Sequence, residues 1–235
     1  MLTKLDFEGN SEVKSFICLT NAYAIVGRAE HSNVVDFLKE KLSFPVVETT
    51  IANIKTVGNL CVGNKYGLAC SETINDQELM HIRNSLPEEV MVARVYDKCN
   101  ALGNNVLCND HVCLVNPDFE NTSALEEVLK VPVFKISLDD IKLVGSYACM
   151  NNKGMLVHPN MNTLQLKELS ELCKVDVIAS TINQGKNIVG SGIVANDFLA
   201  IAGRRSTFVE LKTAGKVLQI GEGVEENVLI EDIVE

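Results

Sequence analysis

Cysteine and histidine are the side chains of this sequence best suited to covalent or metal chemistry, and the chain holds eight of the first and four of the second. A cysteine attacks as its thiolate, which a neighbouring base or cation must favour. His31 lies ahead of a helical pattern, His81 within one, His111 in a turn and His158 before Pro159. No histidine with an acidic partner in its string accompanies a late-chain cysteine, and the last thiol, Cys173, falls on the apolar stripe of a helix. Cys108 and Cys113 are five residues apart and lack the second pair of a zinc ribbon. Gly221 to Gly223 lacks the Lys and Ser or Thr of a phosphate-binding loop. We therefore expect no catalytic residue, no metal and no cofactor, and read the thiols as small buried hydrophobes.

The elements that place these residues are set by a repeat. Asn21, Asn64, Asn109, Asn151 and Asn196 are separated by 43, 45, 42 and 45 residues. Gly58, Gly103, Gly145 and Gly190 each stand six residues upstream of their asparagine, with Ser15 in that place in the first copy. A short apolar run joins glycine to asparagine and a second follows, which reads as a β-hairpin. Asparagine tolerates the positive φ of tight turns, so Asn→Gly is expected to be accepted there and Asn→Val to lose about 1 kcal/mol or more. Cys18 and Cys61 lie three residues before their asparagines and Cys108 one before, so all three should share a strand face.

A cap and a helical period follow each hairpin: Asn75 or Asp76 ahead of Leu79, Ile82 and Leu86, and Asn162 or Thr163 ahead of Leu166, Leu169 and Cys173. Val35, Leu38 and Leu42, then Leu125, Val128 and Leu129, then Phe208, Leu211 and Leu218 mark the others. Extended runs come next, at Pro45 to Thr50, Val90 to Tyr96, Val131 to Ser137, Val175 to Thr181 and Val217 to Gly221. The unit is strand, strand, helix, strand.

Five such units give an α+β chain, an α/β repeat with one domain over residues 1–222 and an acidic tail over 223–235. The repeats fall at about 1–52, 53–97, 98–138, 139–182 and 183–222. Because the end units keep the apolar pattern, closure into a pseudo-fivefold ring, a five-bladed α/β propeller, is favoured over an open solenoid. Leu2 to Phe7 supplies a candidate strand to close it beside Val217 to Gly221. Each glycine begins a strand and each asparagine ends it, so the two sets should lie on opposite rims. Net charge is −10 and the isoelectric point near 5.0, the wrong sign for a protein held mainly by phosphates. A basic protein partner suits that charge. With no run of about 20 apolar residues, a membrane span is not expected. The charged start MLTKLDFEGN lacks a signal peptide's apolar run, so the thiols are expected to stay reduced inside the cell.

The strings CVGNKYGL, NDQELMHIRNSLP, ALGNNVLCND, LVGSYACMNNKGMLVHP and ANDF carry a resemblance to the eukaryotic translation initiation factor 6 family, the ribosome anti-association factors. It runs from Phe7 to about Gly221. The resemblance implies a pentein fold. It implies binding to the intersubunit face of the large ribosomal subunit, near the sarcin-ricin loop and chiefly through a universal ribosomal protein. Joining of the small subunit would then be blocked sterically. It also implies a part in late large-subunit assembly and nuclear export, ended by a release GTPase and its partner, with residence in cytoplasm, nucleus and nucleolus. The free protein is expected to be monomeric. The family's ribosome-binding positions carry over to Lys14, Asn59, Gly103, Asn104, Tyr147 and Ser191. Lys14 stands where a glycine is usual and Asn59 where an arginine is usual. The tail GVEENVLIEDIVE has no Ser or Thr for the phosphorylation that longer relatives use. Other penteins are guanidine-modifying hydrolases and amidinotransferases, so an enzyme is the alternative function, and a ring-shaped scaffold for another partner is a third.

Overall fold

The alternation of apolar and β-branched residues around each turn builds short hairpins that cannot bury both faces alone, so each unit must lean on its neighbours. The structure, a computed structural model, describes residues 1–31 and 33–220; the expected acidic tail lies outside them. Among these residues five three-stranded sheets form. They are β2 (Ile17–Leu19), β3 (Ala24–Gly27) and β4 (Val46–Thr49); β5 (Cys61–Gly63), β6 (Gly67–Ser71) and β7 (Met91–Val95); β8 (Val106–Cys108), β9 (Cys113–Val115) and β10 (Val133–Lys135); β11 (Ala148–Met150), β12 (Gly154–Val157) and β13 (Asp176–Ala179); and β14 (Ile193–Ala195), β15 (Ala200–Gly203) and β1 (Leu2–Leu5). In the first four sheets a hairpin is followed by a strand parallel to its second arm, as β6 pairs antiparallel with β5 and parallel with β7.

A helix crosses between the second and third strands where a chain returns in parallel. These are α1 (Asn33–Lys41), α2 (Asp76–Ser85), α3 (Thr122–Leu129) and α4 (Thr163–Cys173), while α5 (Phe208–Val217) follows β15. Asn75, Asn162 and Thr207 start α2, α4 and α5 with reciprocal capping boxes to Glu78, Gln165 and Glu210, which satisfy amides that a helix start leaves open.

The last sheet corrects the expected strand over Val217 to Gly221. Val217 ends α5, Gly221 lies outside the described residues, and the third strand comes from the other end of the chain. Leu2, Thr3, Lys4 and Leu5 of β1 pair in parallel with Ala200 to Gly203. The four-residue strand β1, ahead of the first hairpin, is thus the blade edge that the fifth unit lacks.

Every core cluster straddles two units. Tyr23, Ile25 and Val47 pack with Leu68, Leu79 and Ile82, and Val62, Ala69 and Val95 with Cys113, Leu125 and Val128. Leu107 and Leu114 pack with Met155 and Leu169, and Cys149 and Leu156 with Leu2, Ala200 and Leu211. Phe16, Val35 and Leu38 meet Val194 and Ile201. That fifth cluster joins last unit to first and closes the ring. This closed ring of five α/β blades is the pentein fold.

The turn asparagines depart from the expected backbone. Among the described non-glycine residues, left-handed φ occurs at Glu8, Ala52, Asn53, Lys130, Asp139, Lys174, Asn183, Gln184 and Gln219, and at none of the five asparagines. Their side chains are what the position requires. Asn64 Oδ1 accepts from the amides of Tyr66 and Gly67, while its Nδ2 donates to Asn109 O and to Leu129 O at the end of α3. Asn109 Nδ2 donates to Asn151 O, Asn151 Nδ2 to Asn196 O and Leu218 O, and Asn196 Nδ2 to Thr20 O. In the first unit Thr20, not Asn21, closes the turn by accepting from the amides of Ala22 and Tyr23. The expected tolerance of Asn→Gly is therefore reversed. Asn64→Gly should lose about as much stability as Asn64→Val, on the order of 3 kcal/mol, because either strands buried amides and carbonyls. Urea titration of both variants checks this, and a glycine variant as stable as the parent contradicts it.

Candidate functional site

The glycine end of the ring is built from five short turns. Val13–Ser15 is a 3-10 turn, and Val57–Leu60, Leu102–Asn105, Val144–Tyr147 and Val189–Gly192 are single α-turns. The glycines thus lie in these turns rather than opening a strand. The reason is steric. A Cβ on Gly58 would lie 1.8 Å from Lys14 O, one on Gly103 1.8 Å from Gly58 O, one on Gly145 2.2 Å from Gly103 O and one on Gly190 2.3 Å from Gly145 O. In these four units each turn presses its backbone onto the one before, an approach that only glycine allows at those positions. The same series identifies Lys14, not Ser15, as the first unit's equivalent of the four glycines.

The turns surround an axial cavity of about 60 Å³ lined by Lys14, Gly58, Gly103, Gly190 and the thiols Cys18, Cys61, Cys108 and Cys149. A second cavity, of about 40 Å³, is lined by Thr20, Asn64, Asn109, Asn151 and Asn196. Leu19, Gly63, Cys108, Met150 and Ala195 line both, so glycine and asparagine sets mark opposite ends of one axis. At the asparagine end Asp110 Oδ2 and Asp197 Oδ2 each accept from Asn21 Nδ2 and Asn152 Nδ2. Those carboxylates and amides satisfy one another.

All six sequence-derived positions fall on the glycine-end turns. Asn59 lies in the second, Gly103 and Asn104 in the third, Tyr147 at the end of the fourth and Ser191 in the fifth. Gly103 is buried and the other four are half-buried. Lys14 belongs to the ring but does not present its charge outward. Its Nζ donates to Gly103 O and, at 2.7 Å, to Gly145 O, across the axis, and burial pushes its amine down to about 8. The Tyr147 ring stands edge-on to the buried His158 ring at 5.9 Å between centroids, and His158 Nε2 is 3.2 Å from Leu138 O. Spacing alone did not disclose Leu143 and Ile188, which precede two of the turns and remain 41% and 37% exposed. An apolar residue stands just ahead of three of the four glycine turns, at Ala101, Leu143 and Ile188, and was the available signal. Around them Lys142 pairs with Asp118 at 2.8 Å and Lys186 with Glu12 at 3.2 Å. The arrangement offers a rigid backbone ring, half-buried polar groups, apolar spots and a charged rim, the composition of a docking surface.

The thiols are poor nucleophiles in these settings. Burial pushes Cys149 up to about 12 and Cys173 up to about 11. Cys18 is the exception, lowered first by a hydrogen bond with Cys61. Among the described residues no group of three His, Cys, Asp or Glu side chains is placed to hold a metal ion, and no helix is long and apolar enough to cross a membrane.

Fold and site define a closed pentein ring whose five short turns surround one end of its axis. The model of the eIF-6 family matches residues 2–217, and the chain belongs to that family of translation initiation factors, whose identity points away from catalysis. Eukaryotic translation initiation factor 6 of Encephalitozoon cuniculi is 48% identical over 213 residues, covering 90% of this chain and 88% of its own. The Caenorhabditis elegans protein of that name is 42% identical over 226 residues, covering 94% and 92%. Among solved structures, a dimethylarginine dimethylaminohydrolase from Pseudomonas aeruginosa complexed with citrulline aligns at 14% identity and TM-score 0.49, covering 77% of this chain and 73% of that one. A match that distant says nothing of this chain's chemistry.

Proposed function

We propose that this protein is a ribosome anti-association factor that docks its glycine end on the intersubunit face of the large ribosomal subunit. A universal ribosomal protein near the sarcin-ricin loop is the chief contact, and the bound ring excludes the small subunit by its bulk. The proposal includes a part in large-subunit assembly and nuclear export, release by a GTPase and its partner, and residence in cytoplasm, nucleus and nucleolus. One observation carries the reading: Asn59, Gly103, Asn104, Tyr147 and Ser191, which come from four different units, converge on one end of the axis. A net charge of −10 also suits a basic protein partner.

Cosedimentation with purified large subunits tests the face. Tyr147→Ala removes a half-buried aromatic of the kind that anchors interfaces and should weaken binding about 10- to 100-fold. Lys65→Gln, in an exposed turn at the asparagine end, should leave it unchanged. Both variants should melt near the parent temperature, and the first should permit subunit joining that the parent blocks. Loss of binding in Lys65→Gln with retention in Tyr147→Ala would assign the opposite face.

A further inference from the structure

Four of the five equivalent axial positions are glycine and the fifth is Lys14, with its ammonium inside the cavity. Short turns leave carbonyls without intrahelical donors, and Lys14 Nζ donates to two of them, Gly103 O and Gly145 O. These belong to the third and fourth units, which lie across the ring from the first. We propose that Lys14 is a positioning residue of the docking face, whose ammonium ties the third and fourth turns to the first and so holds Asn104 and Tyr147 in place. Its effect on docking rests on the ribosome-binding reading; its hold on the two turns does not.

The charge is kept against a folding cost. The groups facing the ammonium are the Gly103 and Gly145 carbonyls and the thiols of Cys149 on β11, Cys18 on β2, Cys61 on β5 and Cys108 on β8. Burial lowers the Lys14 amine from its ordinary 10.5 to about 8. The unfolded chain therefore holds this proton more tightly than the folded one, and the group's contribution to stability rises as pH climbs from about 8 towards 10.5. At neutral pH an uncharged side chain of similar length would avoid that penalty. A residue retained only to fill the cavity has no need of the ammonium; one that must grip two carbonyls does.

Hydrogen exchange on the free protein tests the grip directly. The amides to follow are Asn104 and Asn105, which donate to Ala101 O, and Ser146 and Tyr147, which donate to Leu143 O. In Lys14→Met they should exchange about tenfold faster, while the amides of α2 and α4 keep the parent's rates. The variant's melting temperature at pH 7 should be no lower than the parent's, and the stability difference should move in the parent's favour between pH 8 and pH 10. In Lys14→Gly, which carries the other units' residue, added methylammonium should restore slow exchange at those four amides. Tetramethylammonium, which has no N–H to donate, should not. Parent rates at the four amides in Lys14→Met, or in Lys14→Gly should the first variant fail to fold, overturn the proposal. If the parent itself ignores large subunits, the functional reading fails, and the exchange result still decides the role of Lys14. If the parent binds, Lys14→Met should bind about tenfold more weakly, and equal binding overturns the docking effect.

Discussion

Removing residues 1–6 is expected to abolish cooperative folding. The segment carries β1, whose Leu2 and Leu5 are each only 2% exposed, and the two residues serve different clusters. Leu2 packs with Leu211 and Ala214 at the end of the chain, while Leu5 packs with Phe16 and Ile201 across the closing seam. Burial of two leucines is worth roughly 3–6 kcal/mol, and the deletion also exposes β15 along its parallel ladder and removes the acceptor Asp6 Oδ1 from Ser11 and Arg204. A loss of that size is comparable with the whole stability of a typical domain, about 5–15 kcal/mol. Thermal melting followed by circular dichroism should show no sharp transition for the truncated chain. The point variant Leu5→Ala should keep a transition and lose about 2–5 kcal/mol. A truncated chain that melts as sharply as the parent would mean that the ring closes by other contacts.

The same strand shows where sequence reading reached and where it stopped. The repeat, the hairpins and the caps at Asn75 and Asn162 were legible because each rests on local chemistry: turn amides, apolar faces and helix starts. Which strand completes the fifth blade is a long-range matter. Val217 and Leu218 have the apolar character of a strand, but α5 runs through Val217 because Leu211, Ala214 and Val217 together make one buried helical face. The axial turns were invisible for another reason, since four residues are too few to show a helical period against a strand's. Their true register emerged from the carbonyl that each glycine touches. Matching asparagine to asparagine misplaced the first unit by one residue, because Thr20 offers the same acceptor to the turn amides as asparagine does. The site was legible in part. Resemblance named six positions, and the fold gathered them, but no pattern in the sequence said that Lys14 would turn its charge inward.

Gly103→Ala is expected to lower stability by about 3 kcal/mol or more, because a single methyl has nowhere to go. Its Cβ would stand 1.8 Å from Gly58 O and 3.0 Å from Cys61 O, both backbone atoms that cannot swing aside. Relief requires the second and third turns to part, and that strain passes to the fourth, since Gly145 is seated against the carbonyls of Gly103 and Val106. At about 2–4 °C per kcal/mol for a chain of this size, the melting temperature should fall on the order of 10 °C. Gly145→Ala should behave alike, whereas Lys65→Gln in an exposed turn should barely shift it. Gly103→Arg is for this reason a poor probe of docking, as any loss of binding would follow from a distorted ring as readily as from a blocked surface. Tyr147→Ala separates the two, because it removes atoms without forcing backbone apart. If Gly103→Ala melts with the parent, the turns are not in backbone contact, and the steric account of why four units hold glycine at the axis fails with it.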